Sequence, residues 1–208
     1  MTPLIKKQQD VDAGAAWLAE REPRFATALM LTGPLPLRLA SDGFAALFNK
    51  IVNQQVSVAS ARAIWGRVEE AGLVTPEAVR AAREDDLKAV GLSRPKMKYA
   101  RALAEADIDY DALRSAPDAQ VIETLTAVTG IGVWTAQVYA MFNLGRPDVI
   151  ASGDLALQEA ARILFDLPAR PTAKELEQMA LDWSPWRAVA ARLLFTYYRI
   201  SKDREGIT

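Results

Sequence analysis

The chain has 208 residues, half of them hydrophobic, with 25 lysines and arginines against 26 aspartates and glutamates, a net charge of −1. That length suits one large domain or two small ones sharing a core, and the balance of charge argues against a broad positive field of the kind that holds nucleic acid. With no cysteine and no histidine, disulfides, thiolate nucleophiles, iron-sulfur clusters, histidine metal sites and Ser-His-Asp or Cys-His pairs are excluded, and acid-base chemistry falls to carboxylates, lysine or tyrosine.

The N-terminal "MTPLIKKQQDVD" has no apolar h-region, and no later segment approaches the roughly 20 apolar residues of a membrane span. A soluble, cytoplasmic, monomeric chain without a targeting signal is expected. Residues 1–40 read as helical without a functional cue. Ser41 is expected to cap "DGFAALFNKIVNQQ", in which Phe44, Leu47, Phe48 and Ile51 repeat at helical spacing as core. Ser57 is expected to cap "VASARAIWGRVEEAG", and Thr75-Pro76-Glu77 sets a cap, an N1 proline and an early acid in the usual order. Further helices are expected at about 94–106, 118–128, 132–144, 154–165, 172–182 and 186–200, with no convincing strand. The class is all-α, and no Gly/Ser tract separates independent domains.

Two basic runs stand out. Residues 80–101 carry Arg80, Arg83, Lys88, Arg94, Lys96, Lys98 and Arg101, and the C-terminal run carries Arg187, Arg192, Arg199, Lys202 and Arg204. Each alone reads as a solvated helix face. An internal echo joins "LKAVGLSRPKMKYA" (87–100) to "LTAVTGIGVWTAQVYA" (125–140), which suggests two helix-turn-helix corners built alike.

In the second corner Val121, Ile122, Leu125 and Val128 line one face of a first helix, Thr129-Gly130-Ile131-Gly132 makes the turn, and a second helix begins at Val133 and Trp134. Glycines let the backbone turn tightly and approach a bulky partner. The amides that open the second helix suit a phosphate. An ordinary αα corner has the same pattern, so Gly-x-Gly alone decides nothing. Asp154, a lone acid in an uncharged stretch, reads on its residues as the N-cap of "LALQEAARILF".

The stretch "TLTAVTGIGVWTAQVYAMFNLGRPDVIASGDLAL" resembles the helix-hairpin-helix and following aspartate of the helix-hairpin-helix-GPD DNA glycosylases; Gly132 and Asp154 stand 154 − 132 = 22 positions apart. "LFNKIVNQQVSVASARAIWGRV" (47–68), "GLSRPKMKYARALA" (91–104) and "DWSPWRAVAARLLFTYY" (182–198) are similar to the alkylpurine branch, 3-methyladenine DNA glycosylase II. Together these cover most of residues 40–200. The resemblance implies a two-lobed helical bundle with a DNA cleft between the lobes, read as one domain over 1–208: a subdomain of about 40–145 holds the hairpin, and residues 1–40 pack with 150–208.

It also implies a division of labour. Asp154 would be the catalytic carboxylate, its charge set against the positive charge that develops on deoxyribose as the base leaves. Gly130, Ile131, Gly132, Val133 and Thr135 would grip the DNA backbone with little net positive charge. Gln55 would fill the gap left by the flipped nucleotide, although Gln54 and Gln55 alone read as a polar helix end. Trp134 and Phe195, with Tyr139 and Trp186 as neighbours, would stack on a cationic methylated purine, although core packing is the commoner fate of each.

Strand-cutting relatives carry a lysine nucleophile where this chain has Trp134, and no lysine lies between Lys98 and Lys174. A monofunctional enzyme using water is therefore expected. No cofactor is required; a sodium or potassium ion on the carbonyls of Val128 and Ile131 is an option the resemblance brings. The partner would be duplex DNA with alkylated bases. Thr129 stands where proline is common, Asn53 where glycine often precedes Gln-Gln, and Val138 where some relatives place a pocket tyrosine. The competing readings are a non-catalytic hairpin DNA-binding module and a helical protein-interaction domain.

Overall fold

Apolar residues at helical spacing become helices along the whole of the described chain. The structure is a computed structural model that describes residues 3–205, with side chains as far as Lys202; Arg204 of the C-terminal basic run lies outside the described side chains. Every regular element among the described residues is helical, in keeping with the all-α expectation. No helix among them is long and apolar enough to cross a membrane. The chain divides into two compact units, residues 41–139 and residues 1–40 with 140–208.

The first of these units holds α3 (Phe44–Asn53), α4 (Val58–Glu70), α5 (Pro76–Ala81), α6 (Glu84–Ala89), α7 (Arg94–Glu105), α8 (Tyr110–Ser115), α9 (Asp118–Thr126) and most of α10 (Val133–Phe142). Helix α7 is its centre and packs on α3, α5 and α6 through buried Met97, Ala100, Leu103 and Ala104. The stripe Phe44, Leu47, Phe48 and Ile51 faces the core as its spacing requires. Ser57 and Thr75 cap α4 and α5 by accepting the amides of Ser60 and Ala78.

Ser41 does not cap α3. The helix starts two residues later, with Gly43 at φ 100° in the N-cap position. Long-range bonds decide this start: the Gly43 amide donates to the Tyr139 hydroxyl at 2.8 Å, and Asp42 is drawn into a 2.6 Å ion pair with Arg114. A local cap rule cannot see either partner. Short, polar α6 and α8 were likewise invisible to apolar periodicity.

The two echoing corners are built alike. Gly91 after α6 and Gly130 after α9 have φ of 94° and 97°, a region glycine adopts freely and other residues rarely. In each the next helix begins three residues on (94 − 91 = 3; 133 − 130 = 3). A Cβ on Gly91 would lie 2.5 Å from Arg67, and one on Gly130 would lie 2.3 Å from Tyr99.

The other unit holds α1 (Gln8–Arg21), α2 (Pro23–Thr32), α11 (Leu155–Leu164), α12 (Ala173–Met179) with a 3₁₀ turn at Ala180–Trp183, and α13 (Arg187–Glu205). Helix α13 is the centre of this unit and packs on α1, α2 and α11. Its residues Ala188 to Leu194 are all fully buried, as expected of a helix enclosed by neighbours on every side. Gly14 lets α1 come close, since a Cβ there would stand 2.7 Å from both Trp186 and Val189.

The reading of the C-terminal basic run as a solvated face fails at Arg192, which is 0% exposed. Its guanidinium donates to the carbonyls of Leu37, Ala188 and Met141 and lies 4.8 Å from the centre of the Phe142 ring. Burial, with Arg38 nearby, holds its pKa below the usual arginine range. A buried charge must be hydrogen-bonded, and three carbonyls meet that need here, so Arg192 ties the loop before α3 and the end of α10 to α13.

Candidate functional site

The hairpin between α9 and α10 is closed by two short bonds: the Val128 amide donates to Leu125, and the Ile131 amide donates to the Val128 carbonyl at 3.0 Å. Gly130 sits in its left-handed conformation directly over Tyr99 of α7, so here the fold itself demands glycine. Gly132 differs. Its φ is not left-handed, and a Cβ there would meet nothing within 4 Å. Its carbonyl accepts the Ala136 amide, so α10 opens at a residue with no side chain to cap it.

No acid lies in the first turn of α10. Val133 and Trp134 there are 56% and 46% exposed, while Ile131 and Thr135 are buried. Opening amides without an acidic cap are the arrangement that accepts an anion. The Val128 carbonyl already accepts one amide, which leaves it one lone pair for any further donor or cation.

Beside the turn lies the loop between α3 and α4. Gln54 does not fold back on its own helix end with its side chain; its Nε2 donates to the Gly130 carbonyl at 3.0 Å. Gln55 follows with φ 55° and an exposed side chain. Val56 and Val58 after it are exposed too. Sequence reasoning gave no role to Lys96, whose buried ammonium donates to the Val52 carbonyl at 2.7 Å, nor to Tyr99 under the turn. The only signal available was their place in the stretch 91–104.

Asp154, half-buried, is the N-cap of α11. Its Oδ1 accepts the amides of Ala156 at 2.8 Å and Leu157 at 3.3 Å, which satisfies two of the donors a helix start leaves open. The loop that leads to it is pinned along its length. Arg146 donates its amide to Ala140 and the Ala188 amide donates to Pro147. Asp148 accepts from Arg187 at 2.7 and 2.9 Å and from Ser184 at 2.8 Å. Burial pushes the Asp148 carboxyl up, but those donors outweigh it and hold its pKa below the usual range. Gln158, itself buried, donates to the Ser152 carbonyl at 2.9 Å, and the Asp154 amide donates to Ala151. The carboxylate is therefore held on a braced loop, by the backbone of its own helix.

The four aromatic candidates meet different fates. Trp134 is exposed on the first turn of α10, and Phe195 is half-buried with its ring 6.3 Å from that of Phe142. Tyr139 is 0% exposed; its hydroxyl accepts the Gly43 amide, and burial is the main cause that pushes its pKa up to about 12. Trp186 is buried against Gly14 of α1. The last two thus hold their units together, as the core-packing reading of each allowed.

A family model described as HhH-GPD superfamily base excision DNA repair protein matches residues 48–185. DNA-3-methyladenine glycosylase 1 of Schizosaccharomyces pombe is 29% identical over 158 residues, spanning 72% of this chain and 69% of its own length. Among solved structures, DNA-3-methyladenine glycosidase from Bacillus halodurans is 31% identical with a TM-score of 0.82, covering 91% of each chain. The 3-methyladenine DNA glycosylase of Schizosaccharomyces pombe, in complex with abasic DNA, is 26% identical with a TM-score of 0.77, covering 88% of this chain and 95% of that one. The chain belongs to the HhH-GPD superfamily of base excision DNA repair proteins.

Proposed function

We infer that the protein is a DNA glycosylase of base excision repair that flips an alkylated purine out of duplex DNA and hydrolyses its N-glycosidic bond, leaving the strand uncut. The names of its relatives support the substrate class, and the relative held with abasic DNA supports the product. The observation that carries the reading is Asp154, a carboxylate fixed by two backbone amides at the head of α11. As the base departs, positive charge gathers on the sugar, and a fixed anion lowers the energy of that state without having to reorganise. Water adds to the anomeric carbon and gives up a proton to solvent. The bond to the base breaks with its electron pair going to the purine, whose alkyl-induced positive charge it neutralises. Such a purine leaves without a general acid, which suits a chain with no histidine.

The amides that open α10 beside Gly130 and Gly132, with Val133 and Thr135, would hold a phosphate while the Ile131 amide keeps the turn closed, Gln55 would fill the vacated stack, and Trp134 and Phe195 would receive the base. Tyr139 and Trp186 act through the core rather than by stacking. The absence of a lysine between Lys98 and Lys174 supports hydrolysis over a Schiff base. An alkali cation at the carbonyls of Val128 and Ile131 belongs to the proposal: exchanging sodium or potassium for tetramethylammonium at constant ionic strength would weaken DNA binding if one is held.

The test is base release from methylated duplex, with abasic sites read before and after alkali and with borohydride present. Release with breaks only after alkali, and no covalent adduct, is expected. Breaks without alkali, or a trapped adduct, would overturn the water route. Tight DNA binding with no release by either the wild type or Asp154→Asn would leave a binding module.

A further inference from the structure

Two side chains tie down the end of α3, Lys96 to α7 and Gln54 to the hairpin turn, and neither has a role in the chemistry above. The last carbonyls of a helix lack partners inside it, and solvent usually meets that need. At Val52 the partner is instead the ammonium of Lys96, 8% exposed, at 2.7 Å. Burying a charge is costly, and burial lowers the Lys96 pKa. The positive group does suit a helix C-terminus, but a neutral donor or water would satisfy the carbonyl as well. What a buried lysine adds is a fixed link from α7 to the end of α3.

The second link is Gln54, whose Nε2 reaches the Gly130 carbonyl at 3.0 Å. Gly130 rests on Tyr99, and Tyr99 stands three residues beyond Lys96 (99 − 96 = 3), on the same side of α7. One face of α7 therefore fixes both the end of α3 and the turn of the hairpin. Directly after these anchors Gln55 is held at φ 55°, a conformation that costs a non-glycine residue about 1 kcal/mol and persists where surrounding contacts impose it. The exposed residues Gln55, Val56 and Val58 project from this braced loop.

We propose that Lys96 and Gln54 are positioning residues that lock the Gln55 loop to the hairpin, so that gripping the backbone and filling the emptied stack are done by one rigid piece. This rests on the glycosylase reading with Gln55 as the gap-filling residue. Once the amides that open α10 take a phosphate, the depth of Gln55 in the duplex is set by the clamp.

The experiment uses the full-length protein and a duplex carrying 7-methylguanine, a second with a tetrahydrofuran abasic analogue, and an undamaged third. Gln54→Ala, whose residue is only partly buried, is the variant safest for folding; Lys96→Met and Lys96→Arg are compared beside it. Single-turnover base release and affinity for the abasic analogue should fall about tenfold in Gln54→Ala and Lys96→Met, roughly the weight of one lost hydrogen bond. Affinity for undamaged duplex should change less than about twofold, the grip being separate from the wedge, and Lys96→Arg should recover most of the loss. In a Gln55→Ala background, Gln54→Ala should add nothing, as required of residues that act through one another.

Independent, additive losses, a parallel fall on undamaged duplex, or no loss at all would overturn the clamp. If Gln55→Ala is impaired and Gln54→Ala is not, the clamp alone is wrong. If Gln55→Ala keeps full activity, the gap-filling assignment fails and the clamp fails with it; if the wild type releases no base, the glycosylase reading itself has failed.

Discussion

Helices α10 and α11 each start within two residues of a glycine, Gly132 and Gly153, yet their first turns are finished in opposite ways. At α11 the Asp154 carboxylate takes the amides of Ala156 and Leu157, so the helix is completed from within and its charge is spent on an acid of its own. At α10 the residue before the helix is Gly132, no acid lies in the first turn, and the space around Gly132 is open. A helix N-terminus carries partial positive charge that some anion should meet. At α11 the chain supplies that anion itself; at α10 it would be the phosphate of the proposed function. One side chain, Asp154, thus separates a helix start closed by its own acid from one that the proposed function gives to a phosphate.

The sharpest way to break this contrast is Asp154→Asn, which keeps a good cap and removes only the charge. Base release is expected to fall on the order of 100-fold or more, with the melting transition moved by less than about 0.5 kcal/mol. If activity survives, the acid is a cap and nothing else. Next comes Gly130→Ala, which forces a left-handed alanine and a contact with Tyr99 at 2.3 Å. Strain and overpacking together should cost about 3 kcal/mol, seen in a chain of this size as a fall in Tm of roughly 6 to 12 °C.

Gly132→Ala probes the other glycine of the turn. Having no clash and no left-handed φ, it should melt within about 2 °C of the wild type while binding undamaged duplex several-fold more weakly, because only an incoming backbone would meet the new methyl. A loss of stability equal to that of Gly130→Ala would mean that both glycines serve the fold. The smallest effect is expected of Tyr139→Phe, which removes the acceptor of the Gly43 amide and should cost about 1 kcal/mol. Its pH dependence carries a sign: the Tyr139 pKa is raised from 10.0 to about 12, so its contribution is complete below pH 10 and is lost as pH rises towards 12. The alkaline limb of a stability profile should therefore flatten in the phenylalanine variant.

Much of this molecule was legible in its residues. Helical spacing of apolar side chains fixed the class and most helices, because a buried stripe needs no knowledge of what covers it. Ser57, Thr75 and Asp154 were readable as caps, since a cap reaches only two or three residues along its own chain. The echo of the two corners was readable as well, because a left-handed turn after a helix calls for glycine wherever it occurs. Absences were equally telling: a chain without histidine or cysteine, and with no lysine between Lys98 and Lys174, has few chemistries open to it.

What the residues could not decide are the matters settled by partners distant in sequence. The start of α3 moved from Ser41 to Gly43 because Tyr139 and Arg114 lie 96 and 72 residues away. Arg192 left the expected solvent face because carbonyls from three segments converge on it. Gly130 and Gly132 look alike in sequence, and only the folded turn, with Gly130 left-handed above Tyr99, separates a glycine the fold requires from one it does not. Lys96 sits in a run of exposed cations and is buried by the approach of α3. Periodicity and capping are local and survive translation into sequence; which polar group meets which carbonyl is a matter of packing, and packing is decided only when the helices come together.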